Sequence, residues 1–311
     1  MIGKIERTSG PIRLLAEWLP LVAFLAAAIY LWRSDLAPEV RLISVPLILG
    51  ASVLQLIAFS MRAWLLRDML GRFDIALPYP AAVSCTFKPI LSKYIPGKVW
   101  LLVSTASLLD KYGISFKRAS VIVGIFQVTL AISGLVLGAL ALLAFQLPGL
   151  SEANRLLLIF LSLALLALLV GSSRCLNLAR RHIPALQKRF STPADFPSLS
   201  APAFYAVLHW LVIGLAFALF LLSVDVNAQW YPVVFQPLAI NLGVLAVFVP
   251  GGLGVREGAM AAYLTLADIS LTYALALAVA ARVWFFAGEV VTFTLGLLVD
   301  KLYYSRLFKR T

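Results

Sequence analysis

The chain has 311 residues, of which 62% are hydrophobic and only 13% charged. A soluble domain carries about 45–50% apolar residues, so a water-soluble enzyme or binding module is excluded. Several apolar runs reach the ~20 residues that cross a bilayer, and the fold class is an all-α polytopic membrane protein. The 26 Lys and Arg against 14 Asp and Glu give a formal +12. No nucleic-acid motif accompanies this charge, and the positive-inside rule accounts for most of it.

The first apolar run, 18–33, reads as a retained signal-anchor. A span at 42–66 follows, with Arg62 near its end, where a long cation ordinarily snorkels to the headgroups. Region 77–109 is apolar but broken at Tyr94-Ile95-Pro96-Gly97-Lys98. Spans at 119–146 and 155–172 come next, and Gly134 and Gly138 in the first of them form a close-packing face. The segment 173–200 reads as a cytoplasmic loop joining two halves of one integral membrane domain, 1–311. A span at 201–223, a second broken region at 231–267 and a last span at 272–299 complete the chain.

The basic residues orient these elements. Lys4, Arg7, Arg13, Arg67, Arg72, Lys111, Lys117, Arg118, the cluster from Arg174 to Arg189, and Lys301 to Arg310 fall on one side if both broken regions return to the side they entered. The other side holds Arg33, Arg41 and Arg155 among acidic residues. Both termini are therefore expected in the cytoplasm. The regions at 77–109 and 231–267 become hairpins inserted from opposite faces, which suggests an inverted repeat around a midplane site. Eight full spans with two kinked pairs satisfy the same charge count.

The second break reads Val249-Pro250-Gly251-Gly252-Leu253-Gly254-Val255-Arg256-Glu257-Gly258. Pro250 disfavours helix continuation, and Gly251 and Gly252 permit a sharp turn. A helix starting near Gly254 would present unpaired N–H groups and the positive end of its dipole. Deep in a membrane those groups need a partner, and an anion supplies one. Arg256 in the first turn can clamp a phosphate with its planar fork. Glu257 can hold Arg256, accept an amine of a headgroup, or carry a proton. A purely structural Gly-rich break, with Arg256 and Glu257 neutralising each other, is the alternative, and the cost of central charges argues against it. A nucleotide fingerprint is excluded, because Glu257 stands where GxGxxG needs glycine.

At the first break Gly97 precedes Lys98, which would begin the next helix, so a helix start again coincides with a cation. Lysines snorkelling from a cytoplasm-facing turn are the alternative for Lys88, Lys93 and Lys98. Of these, Lys98 is retained as a site candidate. Arg282 lies mid-span, and Glu289 is seven residues on, about 10 Å along the helix axis. Each needs a partner elsewhere, and Arg282 with Glu257 and Glu289 with Arg256 are candidate cross-helix pairs. Asn241 and Gln127 read as interhelical hydrogen-bond formers. The candidate binding set is thus Gly251, Gly252, Gly254, Arg256, Glu257, Arg282, Lys98, Gly97, Glu289 and Arg62. Cys85 and Cys175 are far apart, His182 and His209 are isolated, and no catalytic triad is legible, so no metal, cofactor or enzymatic activity is expected.

Together Pro250-Gly251-Gly252-Leu253-Gly254-Val255-Arg256-Glu257, Tyr94-Ile95-Pro96-Gly97-Lys98-Val99-Trp100 and Arg282 resemble the flippase-like membrane region of lysylphosphatidylglycerol synthetases. That family includes standalone members tied to polysaccharide or glycolipid assembly. The resemblance implies re-entrant elements and binding, with transbilayer movement, of a lipid bearing a phosphate headgroup. It does not imply synthesis, because the aminoacyl-transferring members use a large soluble domain for which 311 residues leave no room. The chain departs from the family pattern at Val99 and Trp100, where many members have an acidic residue. It departs again at Gly124-Ile125-Phe126-Gln127, where many have a Glu-Arg pair. These departures point to a different headgroup.

The leading expectation is a lipid flippase of a bacterial inner membrane that binds a phospholipid or a polyprenyl-phosphate-linked glycolipid. The alternative is a non-transporting membrane partner that presents a lipid-linked substrate to a glycosyltransferase or synthase. Expected partners are an anionic lipid, the membrane and such an enzyme, with homo-oligomers compatible and nucleic acid excluded.

Overall fold

The computed structural model describes residues 44–95, 99–144, 151–182, 197–227, 231–246 and 249–307. The expected span at 18–33, the turn residues Pro96, Gly97 and Lys98, and residues 183–196 of the expected joining loop lie outside these residues; the first part of that loop, 173–182, is instead helical and continues the helix that begins at Glu152. Among the described residues the helices are α1 (Val45–Arg72), α2 (Tyr79–Phe87), α3 (Trp100–Asp110), α4 (Phe116–Ala144), α5 (Glu152–His182), α6 (Ser200–Ser223), α7 (Tyr231–Leu245), α8 (Val255–Thr265) and α9 (Leu271–Leu307). A short 3₁₀ segment, Lys88–Tyr94, leads into the first break and another, Pro250–Gly252, lies within the second, and no strand occurs among the described residues. α1, α4, α6 and α9 are each long and apolar enough to cross a membrane, and α5 covers the expected span at 155–172. The chain is an all-α, multi-pass membrane protein.

The arms of the broken regions are short for a reason visible in sequence: proline and glycine interrupt them. α3 and α8 have 11 residues each, about 16 Å at 1.5 Å per residue, roughly half of a ~30 Å hydrocarbon core. The first hairpin runs down the C-terminal half of α9. Ser84 and Lys88 bind Asp300, Phe87 lies against Gly296, and Lys93 and Tyr94 reach Glu289. Its tip is therefore near the middle of the 37-residue α9. Entry and exit meet again, since Leu77 and Ala81 share one buried cluster with Leu109, Ile114 and Ala119. The first region is a re-entrant hairpin rather than a pair of full spans.

The second hairpin repeats this on the other half. α7 runs down the C-terminal half of α4, with Leu238 against Gly138 and Asn241 against Gly134. Its entry and exit also converge, with Val226 and Phe235 in one cluster with Leu264 and Ala274. Because α4 starts on the side where the first hairpin leaves, its far end lies on the opposite side. The second hairpin enters from there, so the two hairpins are inserted from opposite faces.

The packing is reciprocal. α1 packs on α6, α2 on α9 and α7 on α4, while each hairpin's return arm, α3 or α8, packs on the long helix that follows it. Each half thus lends its hairpin to the other half's closing helix, the pairing that a two-fold relation between inverted repeats produces. Small residues make the crossings close. A Cβ at Gly138 would collide with Leu238, and one at Gly296 would lie 2.7 Å from Phe87 Cβ. The face marked by Gly134 and Gly138 therefore packs on α7. Pro237 lies inside α7 and has no N–H to offer the Val233 carbonyl. Gly214 of α6 comes up against that carbonyl, where a side chain would clash.

Polar side chains fasten the remaining interfaces. The Trp210 indole N–H donates to the Leu130 carbonyl at 2.7 Å, tying α6 to α4. Gln55 of α1 donates to the Phe285 carbonyl of α9 at 2.9 Å. Such bonds are favoured where lipid offers no competing partner.

Candidate functional site

The second break sets the backbone first. Gly251, Gly252 and Gly254 have φ of 59°, 70° and 80°, a region nearly closed to residues with a Cβ. A Cβ at Gly252 would also lie 2.6 Å from the Gly243 Cα, so the turn presses directly on α7. α8 then begins at Val255 with Gly254 as its N-cap. The Glu257 carboxylate turns back and accepts the Gly254 N–H at 2.7 Å. Glycine has no side chain to return the bond, so this is half of a capping box.

Arg282 of α9 reaches the same turn. Its Nη2 donates to the Gly251 carbonyl at 2.8 Å. Its Nε lies 3.5 Å from Glu257 Oε1, an ion pair without a hydrogen bond, since that oxygen has no hydrogen-bond partner. The expected pair of Arg282 with Glu257 is therefore formed. Arg256 is different. Its guanidinium lies 4.4 Å from the centre of the Phe285 ring, a cation–π distance. Its Nε is buried without a hydrogen-bond partner, and it makes no ion pair among the described residues.

The first tip supplies the partner for Glu289. This fully buried carboxylate accepts from the Lys93 ammonium and from the Tyr94 hydroxyl at 2.8 Å. The expected pair of Glu289 with Arg256 is corrected: the 3₁₀ segment lays Lys93 along α9 and places it on Glu289 first. Lys93 is thus not a snorkelling lysine. Lys88 is likewise fastened, its Nζ 2.6 Å from Asp300 Oδ2. The Tyr94 ring also touches the other tip, with the Arg282 guanidinium 5.4 Å from its centre and room only for glycine at position 251. The two tips meet there.

Beside this meeting point lies a cavity of about 310 Å³. Arg62, Lys93, Arg256 and Arg282 line it together with Gln127 and Asn241. Among the described residues no carboxylate forms its wall: Glu257 and Glu289 sit behind, holding their cations in place. Arg62 points inward, its guanidinium 5.9 Å from the centre of the Phe126 ring, which corrects the expectation that it snorkels outward. Asn241 donates to the Pro237 carbonyl of its own helix at 2.8 Å rather than across an interface. Val99 and Val244 also line the cavity and are 58% and 51% exposed. The open part of its lining is therefore apolar at these two positions. Gly97 and Lys98 lie outside the described residues.

A family model described as lysylphosphatidylglycerol synthase TM region matches residues 18–291, most of the chain. The chain belongs to this family. Among curated proteins none matches it. The lysylphosphatidylglycerol synthase TM region is the non-catalytic membrane part of such synthases and links the chain to lipid handling. The residues by which the sequence resembles the family, the PGGLGVRE run and Arg282, are those that build the second tip. Lys93, Tyr94 and the inward role of Arg62 were not legible locally. The one usable signal was Glu289, a carboxylate inside a span with no partner one turn away, which requires a cation from elsewhere.

Proposed function

We propose that this protein binds the phosphate-bearing headgroup of a membrane lipid in the cavity between the hairpin tips and moves that lipid across the bilayer. The observation that carries the reading is the buried Arg256, whose Nε has no hydrogen-bond partner and which makes no ion pair among the described residues, on a wall shared with Arg62, Lys93 and Arg282. A buried cation without a partner is costly, and an anionic headgroup supplies the partner in a bidentate geometry suited to guanidinium. The apolar open part of the lining lets the tail remain in the hydrocarbon while the head is held. Reciprocal packing of the two halves offers a route to alternating access by rocking one half against the other. In this reading the protein is not an enzyme, resides in a bacterial inner membrane and keeps both termini in the cytoplasm.

The test is transbilayer movement of labelled phosphatidylglycerol and of a polyprenyl-phosphate lipid in liposomes, beside Arg256→Ala. Movement by the native chain and its loss in a folded Arg256→Ala variant is the expected result. No movement of either lipid by folded native protein overturns transport. Binding without movement would turn the reading to a partner that presents the lipid to a separate synthase.

A further inference from the structure

If the cavity is a headgroup site, as proposed above, its charges specify the headgroup. Among the described residues four cations line the wall, and two carboxylates stand behind them, Glu257 at 7% and Glu289 at 0% exposure. Glu257 is engaged by Arg282 and by the Gly254 N–H. Glu289 is engaged by Lys93 and Tyr94. Lys93 and Arg282 are thereby compensated, and two formal positive charges are left over, on Arg62 and Arg256. These are the two wall cations that make no ion pair among the described residues. Among the described residues no further carboxylate lies on the wall to balance them.

We infer that the cavity is built for a dianionic phosphoryl group, a terminal phosphomonoester or a diphosphate, and not for the monoanionic phosphodiester of an ordinary phospholipid or for a headgroup carrying an added amine. A phosphomonoester carries about −1.5 to −2 at neutral pH and three acceptor oxygens, which matches two unpaired guanidinium groups. A phosphodiester leaves one of those guanidinium groups uncompensated in a desolvated site. An added ammonium would raise the surplus instead of cancelling it, and no carboxylate among the described residues of the wall receives it. The volume agrees, because about 310 Å³ is at the low end of ligand pockets, about 300–1,000 Å³. The cavity grips the phosphoryl group and leaves a larger glycan outside. The exposed Val99 and Val244 in the lining assign the group to a lipid rather than to a free anion.

The experiment is titration of the full-length protein at pH 8 with dioctanoyl phosphatidic acid, dioctanoyl phosphatidylglycerol, dioctanoyl phosphatidylcholine and glycerol 3-phosphate, read by calorimetry. Phosphatidic acid is expected to bind about tenfold tighter than phosphatidylglycerol, a 1.4 kcal/mol preference, with phosphatidylcholine and glycerol 3-phosphate weaker still. Arg62→Gln should bring phosphatidic acid to within about twofold of phosphatidylglycerol, and Arg62→Lys should restore part of the preference, since it returns the charge without the planar fork. Equal affinity for the two anionic lipids overturns the dianion assignment and leaves the headgroup site standing. Equal affinity for phosphatidylcholine, or no binding by protein with native near-UV circular dichroism, overturns both. Glycerol 3-phosphate binding as tightly as phosphatidic acid keeps the dianion chemistry and overturns the lipid as its source.

Discussion

The two hairpins solve one backbone problem in different ways. Each breaks at a Pro-Gly sequence, each turns back near the middle of the bundle, and each lies on the closing helix of the other half. The first spends its charges on attachment. Lys88 holds Asp300 and Lys93 holds Glu289, so the 3₁₀ segment is fastened at both ends to α9. The second divides its carboxylate between its own helix start, through the Gly254 N–H, and Arg282 of α9, and leaves Arg256 without an ion pair among the described residues, its Nε without a hydrogen-bond partner. A charge inside a broken membrane segment therefore has no fixed meaning. Whether it fastens or binds depends on whether a counter-charge arrives from another helix.

That contrast makes the fastened cations structural and the free one functional. The largest effect should come from Lys93→Ala. It strips the ammonium from a carboxylate with 0% exposure, and breaking a buried pair on one side costs about 3–5 kcal/mol. Thermal unfolding in detergent should show the loss, and adding Glu289→Gln should recover much of it by removing the orphaned charge. If the double variant is no more stable than Lys93→Ala alone, the pair is not what holds the first tip. Arg256→Ala should cost less stability, about 2 kcal/mol for the lost desolvated ring contact. Equal destabilisation by the two alanine variants would erase the difference between the hairpins.

A second comparison concerns glycine. Gly252→Ala places a Cβ against the Gly243 backbone at a φ of 70°, and both strain and overpacking of this kind cost about 1–3 kcal/mol. Gly296→Ala meets Phe87 and Lys88 at the first hairpin's crossing but sits in regular helix, where alanine is favoured over glycine by about 1 kcal/mol. Its net cost should be smaller, about 1 kcal/mol or less. Unfolding midpoints of the two variants check the order, and a larger loss at Gly296 would mean that the crossing, not the turn, limits stability.

The same contrast marks what could be read from the chain alone. Turn and helix start near Gly254 were legible because proline, glycine and a first-turn glutamate act within a few residues of one another. Arg282 with Glu257 was legible because both were charges in spans without local partners. Glu289 was visible as needy, yet its partner is 196 positions away in sequence, and no local pattern selects Lys93 over Arg256. Only the descent of α2 and its 3₁₀ segment along α9 makes that choice. The inward turn of Arg62 has the same origin: its place near a span's end says depth, while the packing of α1 beside α4 and Phe126 says direction.

The smallest expected effect belongs to Lys88. Its ion pair with Asp300 is partly exposed, the side chains at 16% and 23%, and such pairs contribute about 0–1 kcal/mol. Asp300 also keeps the Ser84 hydroxyl at 2.7 Å, so Lys88→Ala leaves the carboxylate hydrogen-bonded and near solvent. A loss below about 1 kcal/mol in thermal unfolding is expected, against several for Lys93→Ala. The two lysines lie on one 3₁₀ segment and both pair with α9, so the comparison isolates depth as the variable. A large loss at Lys88 would show the outer attachment, not the buried pair with Glu289, to be what seats the first hairpin. The site would then be expected to tolerate Lys93→Gln with its headgroup affinity intact.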